Sequence, residues 1–186
     1  MKNSYLSLVI VLALFLSSCS KKAEESADLP EETAPTEVAE EQDSEWTIAV
    51  EGFVPAYFDK GRKAYAINTV EQTPDKWAAA TKIFEQEDGV YDMTLTTLLE
   101  TDGECSYKVF VDDEKVLSVT NPRIHGTDTE EYAPIEHIVE KVSMKKGSQI
   151  RVEFLSSSNG LVPEGDAFGY ARARWTGLAF TPAAAE

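Results

Sequence analysis

The sequence predicts an all-β domain, an antiparallel β-sandwich, and three observations predict it. Short runs alternate apolar and polar residues with a period of two. Turn-forming Gly, Pro, Asn and Asp separate these runs, and no stretch sustains an apolar pattern at helical spacing. The domain occupies 46–182 of the 186-residue chain. Segment 1–18 precedes it as a leader, 19–45 as an acidic tether, and 183–186 follows as a tail.

The elements follow in order. "WTIAVEGF" is the first strand, and "PDKWAAATKIF" forms a short turn of helix at most. In "GVYDMTLTTLLE", Tyr91, Met93, Leu95 and Leu99 share one parity, with Asp92, Thr94 and Thr96 on the other. "TDG", Thr101 to Gly103, reads as a hairpin turn. Beyond it "ECSYKVFV" alternates Cys105, Tyr107, Val109 and Val111, then "DDEK" turns the chain into "VLSV". "IVEKVSM", a "KKG" turn and "QIRVEF" come next. Ser158 to Gly169 is a loop, and the last strand runs from Tyr170 onward. In such a strand Arg172 and Arg174 face one way and Trp175 the other.

The leader combines Lys2 with an apolar run from Leu6 to Leu16. Eleven helical residues rise about 16 Å, roughly half a bilayer core. Leu16-Ser17-Ser18-Cys19 follows and resembles the bacterial lipobox, which implies a mature N-terminus at Cys19 carrying acyl chains. Several chains at roughly 0.8 kcal/mol per buried CH₂ anchor a protein stably. Ala23 to Glu45 holds ten acidic residues and no Lys or Arg. Its self-repulsion and lack of apolar period make it an extended spacer. Acidic residues soon after such a Cys resemble a surface-export signal, so the outer membrane or cell surface is the expected location, with a periplasm-facing anchor as the alternative.

Charge narrows the function. The chain carries 17 basic and 33 acidic residues, a net of -16, and Trp46 to Ala185 carries 14 and 22, a net of -8. Nucleic acid needs a Lys/Arg surface and is no partner. Cys105 stands alone once Cys19 is lipidated, so it reads as a buried thiol with no disulfide. The domain has two histidines, His125 and His137, and no nucleophile elbow, zinc pair or phosphate loop, so it is read as no enzyme. Surface histidines explain both.

The order of these features resembles the galactose-binding-like jelly rolls, in particular the carbohydrate-binding modules of families 6 and 35. The likeness rests on the acidic first strand and the aromatic loop "AYAINTVEQTPDKWAAA". "GVYDMTLTTLLETDGECSYKVFVDD", "MKKGSQIRVEF" and the terminal strand extend it. It implies a jelly roll that binds glycan, without catalysis, through loop aromatics and polar side chains at one end. It also implies a structural Ca²⁺ between first and last strands, with Glu51 as one ligand. "TGLAF", Thr176 to Phe180, has no Asp or Asn at the matching place. "TDTEE" and "EQEDG" lack the oxygen spacing of a Ca²⁺ loop. No cofactor is therefore firm.

A sugar site needs flat apolar faces for the ring and planar hydrogen-bonding groups for hydroxyls. Trp77, Tyr65 and Asn68 supply these from the long early loop, and Asn159, Arg172 and Arg174 from the end of the chain. An Arg fork suits vicinal hydroxyls or the carboxylate of a uronate. Each residue also has a structural role open to it: the core for Trp175, Tyr65 and Trp77, and acidic partners for the arginines. The expected function is a lipid-anchored carbohydrate-binding domain, and the alternative is an envelope scaffold that docks a protein partner.

Overall fold

Twelve strands and no helix make up the residues that the computed structural model describes, 45–49, 51–69 and 76–184. The apolar leader, Cys19 and most of the acidic tether lie outside them. The strands belong to a compact unit, Gln42–Glu186.

One five-stranded sheet takes β1 (Thr47–Ala49), β4 (Ala78–Ile83), β9 (Gln149–Leu155), β6 (Ser106–Val111) and β7 (Glu114–Thr120), in that spatial order. The other takes β2 (Ala56–Asp59), β3 (Ala64–Ile67), β12 (Trp175–Pro182), β5 (Gly89–Leu98) and β8 (Pro134–Met144). A small ribbon, β10 (Pro163–Glu164) with β11 (Ala167–Phe168), stands apart from both sheets. Every pairing is antiparallel. The result is a β-sandwich of jelly-roll type.

Alternation builds the layers. Tyr91, Met93 and Leu95 on β5 are buried, whereas Asp92, Thr94 and Thr96 are half-exposed. Tyr107, Val109 and Val111 on β6 meet Ile150, Val152 and Phe154 on β9 in the same core. Trp175 is fully buried at the seam. It stacks on Tyr65 of β3 at 4.5 Å and meets Trp46 edge-on at 5.1 Å and Phe154 at 5.9 Å. Cys105 is buried as expected, and that burial pushes its thiol well above the ordinary range.

Three expectations are corrected. "TDG" is no hairpin, because β5 and β6 belong to opposite sheets and Thr101 to Gly103 carries the chain across between them. A Cβ on Gly103 would lie 2.1 Å from the Ser157 carbonyl oxygen, so close backbone approach demands glycine there. The "AAATKI" run is strand β4, not helix. Its alanines are fully buried between β1 and β9, and pairing on both sides outweighs alanine's helix propensity. The last strand begins at Trp175, since Ala173 turns the backbone at φ 50 just before it. "DDEK" does make a two-residue hairpin, with Asp112 and Asp113 at φ 47 and 67 as a type I′ turn requires.

Candidate functional site

The site is built around a buried carboxylate. Glu100, just past β5, is 5% exposed. Its two oxygens accept backbone N–H bonds from Arg172 at 3.1 Å and Arg174 at 3.2 Å. The left-handed turn at Ala173 lets both amides converge, forming an anion-binding nest. The Arg174 guanidinium closes on the same carboxylate through Nη1 and donates from Nε to Asp59 at 3.2 Å. Burial pushes the Glu100 carboxyl above its ordinary value, against the pull of Arg174 and the amides. Three donors converging on it suit the carboxylate. Burial also pushes Asp59 up, but Arg174 and the amides of Arg62 and Gly61 outweigh it and hold Asp59 below the usual carboxylate value.

Arg172 is placed differently. It is half-buried, donates from Nη1 to the Tyr57 hydroxyl at 2.9 Å, and makes no ion pair among the described residues. It opens on a hollow of about 370 Å³ whose walls also include Asp102, Tyr132, Glu164, Gly169 and Tyr170. The Arg62 guanidinium lies 3.3 Å over the Tyr132 ring. Asp102 comes from the inter-sheet crossing. Its Oδ1 is buried without a hydrogen-bond partner among the described residues. Burial pushes its carboxyl above the ordinary value, and the charges of Glu131 and Glu164 act in the same direction. Pro163 and Glu164 of the ribbon and Tyr170 after it rim the hollow, Tyr170 at 39% exposure, while Leu161 and Phe168 nearby in the chain are exposed at 40% and 51%.

The residues expected at a site are thus divided. Arg172 and Arg174 both line the hollow, but the Arg174 fork is engaged internally and buttresses the wall. Asn159 is a latch. Its Nδ2 donates to the Thr101 carbonyl at 2.9 Å, and its Oδ1 accepts from the Leu161 amide at 3.1 Å. Tyr65 is a core ring at 3% exposure, which its stacking on Trp175 explains. Asn68 is half-buried and anchors its backbone to Pro55, and its neighbour Thr69 reaches the hollow. Trp77 does not line it. The indole is half-buried beside the first-described sheet, with Lys108 Nζ 3.6 Å over its ring.

Glu51 is exposed in the turn after β1 rather than on a strand, and among the described residues no three His, Cys, Asp or Glu side chains form a metal-binding group. His137 is no surface histidine. Its Nε2 lies 3.1 Å from Thr97 Oγ1 and 3.2 Å from Asn121 Oδ1, and burial lowers its pKa. A larger hollow of about 490 Å³ between β7 and β8 has Lys, Glu and Val walls and no aromatic side chain.

Asp102, Tyr132 and Tyr170 are functional candidates that the sequence does not disclose. Asp102 carries only a turn signal, and Tyr170 falls in the expected last strand.

No family model matches the chain. The uncharacterized protein P23 of Formosa agariphila is 26% identical over 126 residues, which cover 68% of this chain and 28% of that protein. The chain thus spans little more than a quarter of this relative's length. Among solved structures, the CBM36-1 domain of a multidomain xylanase from the hindgut metagenome of Trinervitermes trinervoides is 14% identical, with a TM-score of 0.40. The match covers 75% of this chain and 93% of that one. A family 35 carbohydrate-binding module from an environmental isolate also gives 14% and 0.40, covering 76% and 90%. A CBM36 module in complex with calcium and xylotriose gives 8% and 0.35, covering 73% and 99%. At this level of similarity the fold rests on the chain's own strand order.

Proposed function

We propose that this chain is a lipid-anchored, non-catalytic carbohydrate-binding domain of the bacterial outer membrane or cell surface. The observation that carries the glycan reading is the hollow itself. A guanidinium with no ion pair among the described residues, the half-buried Asp102 carboxylate, and a rim with exposed Tyr170 converge there. These are the planar polar groups and ring faces that sugars require. Anchoring is supported by the apolar run from Leu6 to Leu16, by Cys19 shortly after it and by the acidic spacer that follows.

A glycan array probed with the full chain tests the binding. Retention of a polysaccharide, lost in Arg172→Ala while the variant still melts in one cooperative transition, is the expected result. No retention of any glycan at millimolar affinity leaves a protein partner as the function. Exposed Phe168 on the ribbon and Leu161 just before it favour that second reading. Cys19→Ser should move the protein from the membrane to the soluble fraction. A variant that stays membrane-bound counts against the anchor.

A further inference from the structure

Charge around the hollow decides which glycan it suits. Three arginines stand on or directly behind its walls, namely Arg62 on the Tyr132 ring, Arg172 and Arg174. Five carboxylates accompany them: Asp59 and Glu100 on Arg174, Asp102 and Glu164 on the walls, and Glu131 acting on Asp102. The Arg174 charge is consumed by its two partners, so Arg172, without an ion pair among the described residues, shares the walls with Asp102 and Glu164. With Arg174 neutralised, a polyanionic sugar would meet two guanidiniums, Arg172 and Arg62, against three carboxylates, Asp102, Glu164 and Glu131, so the balance stays negative. Hydroxyls behave otherwise, because each both donates and accepts, so neighbouring hydroxyls satisfy a carboxylate and a guanidinium together.

We infer, on the reading that this hollow binds glycan, that it selects neutral, hydroxyl-rich sugars over polyanionic ones, with Asp102 accepting from one hydroxyl and Arg172 donating to its neighbour. The Arg fork alone points to uronates; the carboxylates around the same hollow reverse that preference. Because Oδ1 is buried within the protein, the oxygen of Asp102 placed for the part is Oδ2, on the Gly169 side of the hollow. Gly169 keeps the space in front of it open. A Cβ there would lie 3.4 Å from Asp102 Oδ2 and 3.6 Å from Glu164 Oε2, which a methyl occupies without a clash. Tyr170 offers a ring edge or face beside them.

Calorimetric titration of the full chain with neutral xylo-, manno- and galacto-oligosaccharides, and with oligogalacturonate of equal length, tests this. At least one neutral series should bind about tenfold or more tighter than oligogalacturonate, with little dependence on salt. Asp102→Asn should weaken neutral binding about tenfold, the value of a charge-assisted hydrogen bond, and strengthen oligogalacturonate binding. Gly169→Ala should weaken neutral binding with an unchanged melting temperature. Tighter, salt-sensitive binding of oligogalacturonate would overturn the charge argument and leave glycan binding standing. No heat with any of these sugars, matched by an empty array, would remove both.

Discussion

The guanidinium of Arg174 lies against Glu100 and Asp59, and its removal would leave Glu100 buried with two amides as its remaining partners. Stranding one member of a buried pair costs about 3–5 kcal/mol, so Arg174→Met should lower the urea midpoint sharply. Arg172→Met loses one hydrogen bond to Tyr57 and should cost about 1 kcal/mol. Equal losses in the two variants would mean that Arg172 is also structural. The deficit of Arg174→Met should shrink as pH falls, because protonation relieves the stranded Glu100. His137 is a second pH-dependent group. Burial lowers its pKa below the ordinary histidine value of about 6.5, so the unfolded chain binds the proton first. Its contribution is full above about pH 6.5 and is lost as pH falls through the lowered value. Urea midpoints between pH 7 and 5 should therefore fall more steeply for the native chain than for His137→Gln. Parallel slopes would show that another group carries the dependence.

The crossing from β5 to β6 depends on Gly103 in the way that hairpin turns depend on left-handed glycines, but for a different reason. The obstacle is the Ser157 carbonyl oxygen, 2.1 Å from where a Cβ would sit, and backbone cannot move aside as a flexible side chain could. Gly103→Ala should cost about 1–3 kcal/mol or more, the range for overpacking. A thermal melt indistinguishable from the native one would refute the close approach. The same crossing shows what sequence can and cannot carry. Parity along β5, β6 and β9 is legible because burial of alternate residues is a property of each strand by itself. "TDG" reads as a hairpin because a turn's composition does not reveal whether the next strand pairs with the last. That choice is made by β12 beside β5 and by β9 beside β6, partners distant in sequence. The alanines of β4 mislead for the same reason. Alternation expects Trp175 in the core, where the structure has it, although the turn at Ala173 ends that alternation just before it and Arg174 is buried as well. The hollow is legible only in its arginines, since Asp102, Tyr132 and Gly169 come together from three separate connections.

Both sheets close on one aromatic seam, and this makes the domain a single cooperative unit. Trp175 of β12 touches Tyr65 in its own sheet and Phe154 of β9 in the other, with Trp46 against its edge. Truncating a buried Trp to Ala costs about 3–5 kcal/mol, a large share of the roughly 5–15 kcal/mol that holds a domain of this size together. Trp175→Ala should therefore loosen both sheets together. Trp175→Phe sets two effects against each other. The smaller ring leaves a void, but it also removes an indole Nε1–H that is buried without a hydrogen-bond partner among the described residues. An unsatisfied buried donor costs about 1–3 kcal/mol, so its removal offsets much of the lost packing. The expected order of stability is native, then Phe by less than about 2 kcal/mol, then Ala well below. Guanidinium denaturation followed by far-ultraviolet and near-ultraviolet circular dichroism reads this directly. The two signals should coincide in one transition for the native chain and for the Phe variant. A Phe variant as unstable as Ala would show that the indole N–H finds a partner. Separated transitions would show that the two sheets do not share one core.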